Sequence, residues 1–350
     1  ITSNSHKAIH ELLKKVEEVA DEVGAEFRGL KKCSGDNPES VFEGSRIGSV
    51  DDNAALTNPD VQLAAGTAWH HCRPEVDGTL DYLFIDEAGQ VSLADALALS
   101  TAARSVVLLG DPQQLPQVTQ AAHPEGTSLS VLEHLLGERQ TIRADRGVFL
   151  ERTWRMHPEV CGFVSELMYD GRLHSAEGCE RQRVIADGEL SGTGLRWMPV
   201  EHSGHSQESP EEAERVADVV EPLLDGARYV DSDGAEHPLS PKDILVITPY
   251  NAQVRCLEQR LPDGVRVGTV DKIQGQEAQA VLFSMATSSG DDLPRNLGFL
   301  FSRNRLNVAI SRARCLAAIV ASPRLLDVSC GSIEEIRLVN ALCRLVEVAS

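Results

Sequence analysis

The sequence predicts an α/β fold built on parallel sheets. Short β-branched apolar runs recur along the 350 residues, amphipathic segments fall between them, and the runs are apolar at nearly every position instead of alternating. Strand alternating with helix gives parallel sheets, and strands covered on both faces read as continuous apolar runs.

Ile9–Val23 carries Ile9, Leu12, Leu13, Val16, Val19 and Val23 at helical spacing, which predicts a helix with these side chains on its buried face. Residues 33–60, rich in Gly, Asp, Asn, Ser and Pro, read as loop. Tyr82–Ile85 and Val106–Leu109 are expected strands. Residues 138–147 are charged and lack an apolar pattern, so a boundary between two domains, 1–146 and 147–350, is placed there. Residues 174–194 and 201–209 read as polar excursions. Strands are expected at Leu195–Val200, Ile244–Ile247, Val265–Val270, Ala280–Ser284 and Leu316–Ala321. Glu211–Leu224 is a predicted helix with Ser209 as cap and Pro210 in its first turn, and Ser332–Val348 is another.

A net charge of −20 argues against a simple nucleic-acid-binding domain, whose footprint is basic. It leaves room for a narrow phosphate track, because phosphate contact needs local cations or amides and not a basic average. The charge is unevenly spread. Residues 201–225 hold eight acids against Arg215, which reads as a solvated helix face, whereas residues 293–314 hold five arginines and no acid. Eight cysteines show neither CxxC spacing nor the histidine neighbours of a zinc site, which suits reduced thiols in a cytoplasmic protein. No apolar run is long enough for a membrane-spanning helix, and the residues from Ile1-Thr2-Ser3-Asn4 onward show no charged leader or secretory apolar stretch, as expected of a chain that starts inside a longer or processed protein.

Five segments carry chemistry. Leu83-Phe84-Ile85-Asp86-Glu87-Ala88-Gly89-Gln90 is an apolar strand ending in two acids; ligands bind beyond the carboxyl ends of such strands. One carboxylate there can hold Mg²⁺ through its water shell and the other can activate water, though a strand-end pair capping the next helix has the same pattern. Val106 to Pro116 ends a second strand at Gly110-Asp111-Pro112-Gln113-Gln114, where a glutamine can bond a phosphate without adding charge; a plain turn has the same residues. The others are Glu151-Arg152-Thr153-Trp154-Arg155-Met156-His157-Pro158, the run Gly268 to Glu277, and Arg305-Leu306-Asn307-Val308-Ala309-Ile310-Ser311-Arg312-Ala313-Arg314.

In this order the segments resemble motifs II through VI of superfamily-1 helicases, and most closely the branch of the nonsense-mediated-decay RNA helicase and its bacterial relatives. Thr2-Ser3-Asn4-Ser5-His6-Lys7-Ala8 is similar to motif Ia, and Thr248-Pro249-Tyr250-Asn251-Ala252-Gln253 to the second-domain motif that touches the strand. The likeness spans residues 2 to 314.

The resemblance implies two RecA-like domains, 1–146 with motifs Ia to III and 147–350 with motifs IV to VI, closing on ATP and Mg²⁺. It gives Asp86 to the metal, Glu87 to the attacking water and Gln114 to the γ-phosphate. Arg155 and Arg312 become arginine fingers, since a planar, permanently charged guanidinium suits the spread charge of phosphoryl transfer. Trp154 would pack on adenine, with a core position as the other reading, and Gln276 and Glu277 would contact the nucleotide, Glu277 at the ribose. Arg312 and Arg314 also fit a solvated helix face. Thr2, Ser3, Asn4, Thr67, Pro249, Tyr250, Asn251, Thr269 and Asp271 would line a single strand, DNA ahead of RNA, travelled 5′ to 3′. Tyr250 is the residue able to stack a base. Such residues at strand ends also serve as ordinary helix caps.

The sequence contains no GxxxxGK[ST] loop, and no lysine follows a glycine anywhere. The family places that loop ahead of motif Ia, so the expectation is a chain that starts downstream of it, with an incomplete first domain and no ATP turnover of its own. A non-catalytic binding module of helicase ancestry is the rival expectation. The run Phe299 to Arg305 also resembles proteins in which a RecB-like nuclease precedes the motor.

Overall fold

The computed structural model describes residues 1–115, 117, 129–273 and 275–349; Pro116 and Gln274, which stand in two of the motifs, lie outside the described residues. The chain divides into two compact units, Ile1–Glu138 and Arg139–Ser350. Residues 139–146 join the second unit, where Gln140 donates to the Leu167 carbonyl and the Thr141 hydroxyl to Asp170.

The first unit runs α1 (His6–Val23), β1 (Gly29–Lys32), β2 (Ile47–Val50), α2 (Asn53–Leu56), β3 (Leu63–Ala65), α3 (Ala68–His71), β4 (Leu80–Ile85), α4 (Leu93–Ser100), β5 (Ala103–Leu108) and α5 (Val131–Leu136). Ser5 caps α1 by accepting from the Ala8 amide, and Gly24 ends it in the left-handed conformation at φ 65°. Strands pair in parallel, in the orders β2-β1-β3 and β4-β5. The first residues of the chain join the two groups. Ile1 donates to Ala64 and accepts from Gly66, while Thr2 donates to Phe84 and accepts from the Asp86 amide.

Three expectations fail in this unit. The stretch 33–60 is not only loop, because it contains β2 and the short α2. Val19 and Val23 are exposed, and the buried face of α1 runs Ile9, Leu13, Glu17 and Ala20. Glu17 is there to hold the next strand: its carboxylate accepts from the Arg46 and Ile47 amides and from the Ser45 hydroxyl. Nor are β4 and β5 covered on both faces. Leu83 and Ile85 are buried, but Tyr82, Phe84 and Val106 are exposed.

The second unit runs β6 (Arg152–Thr153), α6 (Pro158–Met168), β7 (His174–Ser175), β8 (Arg183–Ile185), β9 (Gly194–Pro199), α7 (Pro210–Leu224), β10 (Arg228–Val230), β11 (Glu236–Pro238), β12 (Ile244–Thr248), α8 (Asn251–Glu258), β13 (Arg266–Thr269), β14 (Ala278–Ser284), α9 (Leu297–Leu300), α10 (Arg303–Ile310), β15 (Ala313–Ala321) and α11 (Ile333–Val348). Its main sheet is parallel throughout, in the order β13-β12-β14-β15-β9. Strands β12 and β14 are buried at every position, as continuous apolar runs require. The polar excursion expected at 174–194 supplies β8, which joins β10 and β11 in a small antiparallel sheet.

Helix α7 opens as expected, with Ser209 accepting from the Glu212 amide and Pro210 in the first turn. Its acids are not all solvated, however. Glu212 is fully buried and accepts from the Ser284 hydroxyl and the Ala286 amide, while His202 bridges Glu212 and Ser288 at 2.9 and 2.7 Å. A buried acid with both oxygens hydrogen-bonded ties the helix to the loop leaving β14. Ala286 in that loop holds a positive φ of 64°.

Candidate nucleotide and strand sites

In the first unit the segment of residues 1–3, β3, β4 and β5 all run the same way. Their carboxyl ends therefore open on one edge of the sheet, the edge where ligands of such sheets bind. Asn4, Thr67, Asp86, Glu87, Asp111 and Gln114 all follow those ends.

The turns after β4 and β5 are locked together. The Ala88 amide donates to the Leu109 carbonyl at 2.8 Å. A Cβ on Gly89 would stand 2.7 Å from the Asp111 carbonyl oxygen, and one on Gly110, at φ 151°, 2.8 Å from the Ala88 nitrogen. Only glycine permits so close an approach of the two main chains. Asp86 is half-buried, and burial pushes its carboxyl above the usual range despite a backbone hydrogen bond that opposes the shift. Glu87 holds the left-handed conformation at φ 53°, a strain that side chains other than glycine accept where the surroundings fix it. Asp111 organises the second turn by accepting from the Gln113 amide at 2.9 Å and from the Gln114 side chain at 3.3 Å. No group of three or more potential metal-ligating side chains exists among the described residues, so any cation here would rest on few protein oxygens and its own waters.

Thr2 and Ser3, expected on the strand track, are buried, and among the described residues their hydroxyls have no hydrogen-bond partner; the main chain of Thr2 pairs with β4. Asn4 is exposed and donates to the Gln90 carbonyl at 2.6 Å. Thr67 is half-buried at the start of α3 and makes no side-chain cap.

The second unit separates its candidates by strand end. Gln276, Glu277, Arg312 and Arg314 gather at the amino ends of β14 and β15, joined by Arg155 from the turn before α6. Glu277 is the hub. Arg155 donates from Nε to Glu277 Oε2 at 2.6 Å and from Nη1 to the Ser311 carbonyl at 3.2 Å, and Arg314 donates to Glu277 Oε1. Burial alone would raise the Glu277 carboxyl, but hydrogen bonds from Arg314 and Arg155 outweigh it and hold the group below its ordinary range. The carboxylate expected at the ribose thus sits between two guanidiniums, and Arg155 is oriented by it. Arg266 donates to the Glu277 carbonyl at 2.7 Å and to the Gln276 side chain at 3.4 Å. Arg312 is 3% exposed and its carbonyl accepts from the Ala278 amide, which removes the solvated-face reading. Trp154 is 74% exposed, so the core reading fails as well.

At the carboxyl ends of β12 and β13, Pro249, Tyr250 and Thr269 are buried and Asn251 and Asp271 exposed. Tyr250 is 6% exposed and packs against Phe299 with ring centroids 5.7 Å apart, so in this conformation it offers no face to a base. Arg305 makes a two-pronged ion pair with Asp271 at 2.9 and 3.1 Å. That Arg305 partner and the Arg314 contact to Glu277 were missed in the sequence, where arginine-rich 293–314 was legible but its acids lay far away.

A family model described as "AAA domain" matches residues 127–324, more than half of the chain. A second, "Viral superfamily 1 RNA helicase core domain", matches residues 55–188. Among curated relatives, the DNA polymerase alpha-associated DNA helicase A of Schizosaccharomyces pombe is 31% identical over 67% of this chain and 36% of its own length. The DNA-binding protein SMUBP-2 of Mesocricetus auratus is 29% identical over 77% and 28%. The DNA replication ATP-dependent helicase/nuclease JHS1 of Arabidopsis thaliana is 28% identical over 83% and 22%. The chain thus spans about a third or less of the length of these relatives. Among solved structures, an arterivirus nonstructural protein 10 helicase with DNA covers 92% of this chain and 53% of its own at 17% identity and a TM-score of 0.47. With a matching family model over more than half its residues and helicases among its relatives, the chain belongs to the AAA domain family and is built of superfamily-1 helicase domains.

Proposed function

We propose that the chain is motor machinery of an ATP-dependent nucleic-acid helicase or translocase, with RecA-like domains at 1–138 and 139–350 that together hydrolyse ATP and travel 5′ to 3′ along a single strand. The observation that carries the reading is the joined pair of turns after β4 and β5, where two glycines admit a main-chain approach that leaves Asp86, Glu87 and Gln114 on one edge.

Each residue then has a task its surroundings support. Asp86, half-buried at a strand end, fits a Mg²⁺ held through water; the cation's own charge offsets the burial that disfavours the carboxylate. When bound, Mg²⁺ supplies charge neutralisation on the phosphates. Glu87 orients water and takes its proton, and Gln114, steadied by Asp111, bonds the terminal phosphate. Arg155 presents its guanidinium to the triphosphate at an angle set by Glu277, and Arg312, buried in this conformation, is the second arginine finger of the reading. Trp154, exposed beside Arg155, offers a face to adenine. Asn4, Thr67 and Asn251 are the reachable members of the strand track. DNA is favoured over RNA as the strand, in line with the names of two of the relatives above. No GxxxxGK[ST] loop stands among these 350 residues, so on this reading ATP turnover requires that such a loop be supplied.

Two ATPase assays test this. Residues 1–350 alone turn over no ATP with or without single-stranded DNA, and strand-stimulated turnover from them overturns the need for an added phosphate loop. In the longer protein that carries the loop, Glu87→Gln lowers kcat by about 10²–10⁴ with little change in KM; unchanged turnover removes Glu87 from its role.

A further inference from the structure

Residues 293–314 put five arginines and no acid into a chain of net charge −20. Three of the five are engaged inward or along the sheet. Arg303 donates to the Leu167 carbonyl, Arg312 is buried, and Arg314 is held by Glu277. The other two meet at one aromatic ring. The guanidinium carbons of Arg295 and Arg305 stand 4.4 and 4.3 Å from the centroid of Phe299, whose ring also packs on Tyr250. A ring at that distance attracts both cations and fixes the planes of their guanidiniums. Arg305 is bound two-pronged by Asp271, whereas Arg295 is exposed and forms no ion pair among the described residues.

We propose that Arg295 and Arg305, stacked on Phe299, form a phosphate clamp for a single-stranded nucleic acid, with Asp271 as the counter-ion that a strand phosphate displaces from Arg305. The inference rests on the motor reading above and adds to it the residues that hold the backbone in the second unit. The geometry Asp271 makes with Arg305 is the fork that a phosphate would also take. A carboxylate occupying that fork offsets positive charge that would otherwise be unpaired in the free protein. It also means that Asp271 opposes strand binding instead of contributing to it, since its charge competes with the phosphate for the same donors. Both guanidiniums contact phosphate and neither reads a base, so the clamp is indifferent to sequence.

The test is fluorescence anisotropy of labelled oligo(dT) and oligo(U) 20-mers with the 350-residue chain, between about 50 and 200 mM salt. Arg295→Ala lowers affinity several-fold and makes the salt slope shallower by about 0.7, the share of one phosphate on a single strand. Phe299→Leu weakens binding while both charges remain, and Asp271→Asn tightens it. Near-equal effects on dT and U point to the backbone as the ligand. Arg295 and Asp271 are exposed, so folding is not at risk, and thermal melts of each variant check it. If the wild-type chain binds and Arg295→Ala keeps its affinity and slope, or Asp271→Asn weakens binding, the clamp is wrong and the motor reading stands. If the wild-type chain binds neither oligonucleotide, both are overturned.

Discussion

Two histidines in α3 show how single side chains set the conditions under which the first unit holds together. His70 and His71 are buried, His70 beside the side-chain amide oxygen of Asn53 and His71 beside the main-chain carbonyl of Ile1. Burial is the main cause that lowers their pKa values to about 4 and about 3, with neighbouring positive charge adding to it. In the unfolded chain both return to about 6.5. Above pH 6.5 both states hold neutral imidazoles and stability is fully present. Below it the unfolded chain takes protons that the folded unit refuses, so stability falls by up to about 1.4 kcal/mol per pH unit per histidine. Urea denaturation followed at pH 7 and pH 5 should show the midpoint drop, and His71→Gln should remove part of the drop; an unchanged midpoint at pH 5 contradicts the assignment. Nothing in the sequence announced this pair. The acids Asp86 and Glu87, by contrast, were readable because they interrupt an apolar strand, and Arg155 and Arg312 because they stand in ordered motifs. What the residues alone could not give was partnership. Glu277 was expected at a sugar, and nothing in the sequence showed that Arg155 and Arg314 hold its two oxygens.

At the scale of elements, legibility followed burial. Strands β12, β14 and β15 lie in the middle of a covered sheet, so their apolar runs were plain in the sequence. Strand β2 was not, because Ile47-Gly48-Ser49-Val50 has little apolar character and is placed by a side chain 30 residues earlier. Glu17, on the buried face of α1, accepts from two main-chain amides at the entrance of β2, as well as from Ser45. Taking away that carboxylate strands two amide donors in the interior. Glu17→Ala should therefore cost about 1–3 kcal/mol, read as a lower urea midpoint, while exposed Glu18→Ala changes it little. Equal effects of the two substitutions would show that Glu17 does not hold β2. The same logic explains why α1 kept its predicted span but not its predicted face. A polar residue with a long-range partner took the place that Val19 and Val23 were expected to fill.

For the molecule as a whole, β5 has a consequence of its own. Among the described residues it pairs with β4 alone, so one side of it presents amides and carbonyls that no neighbouring strand answers. Next to that rim stand Tyr82, Phe84 and Val106, apolar side chains facing water. A rim of this kind is a template on which another chain can lay a strand, and bare apolar surface beside it adds a driving force. The isolated 350 residues should therefore associate with one another as concentration rises, visible as growing species in sedimentation velocity, and Phe84→Lys with Val106→Lys should hold them apart. A single concentration-independent boundary would refute this. Solubility would then be set by six residues of strand at one margin of a heavily charged protein, and the acidity that keeps molecules apart elsewhere on the surface would matter least where they can join.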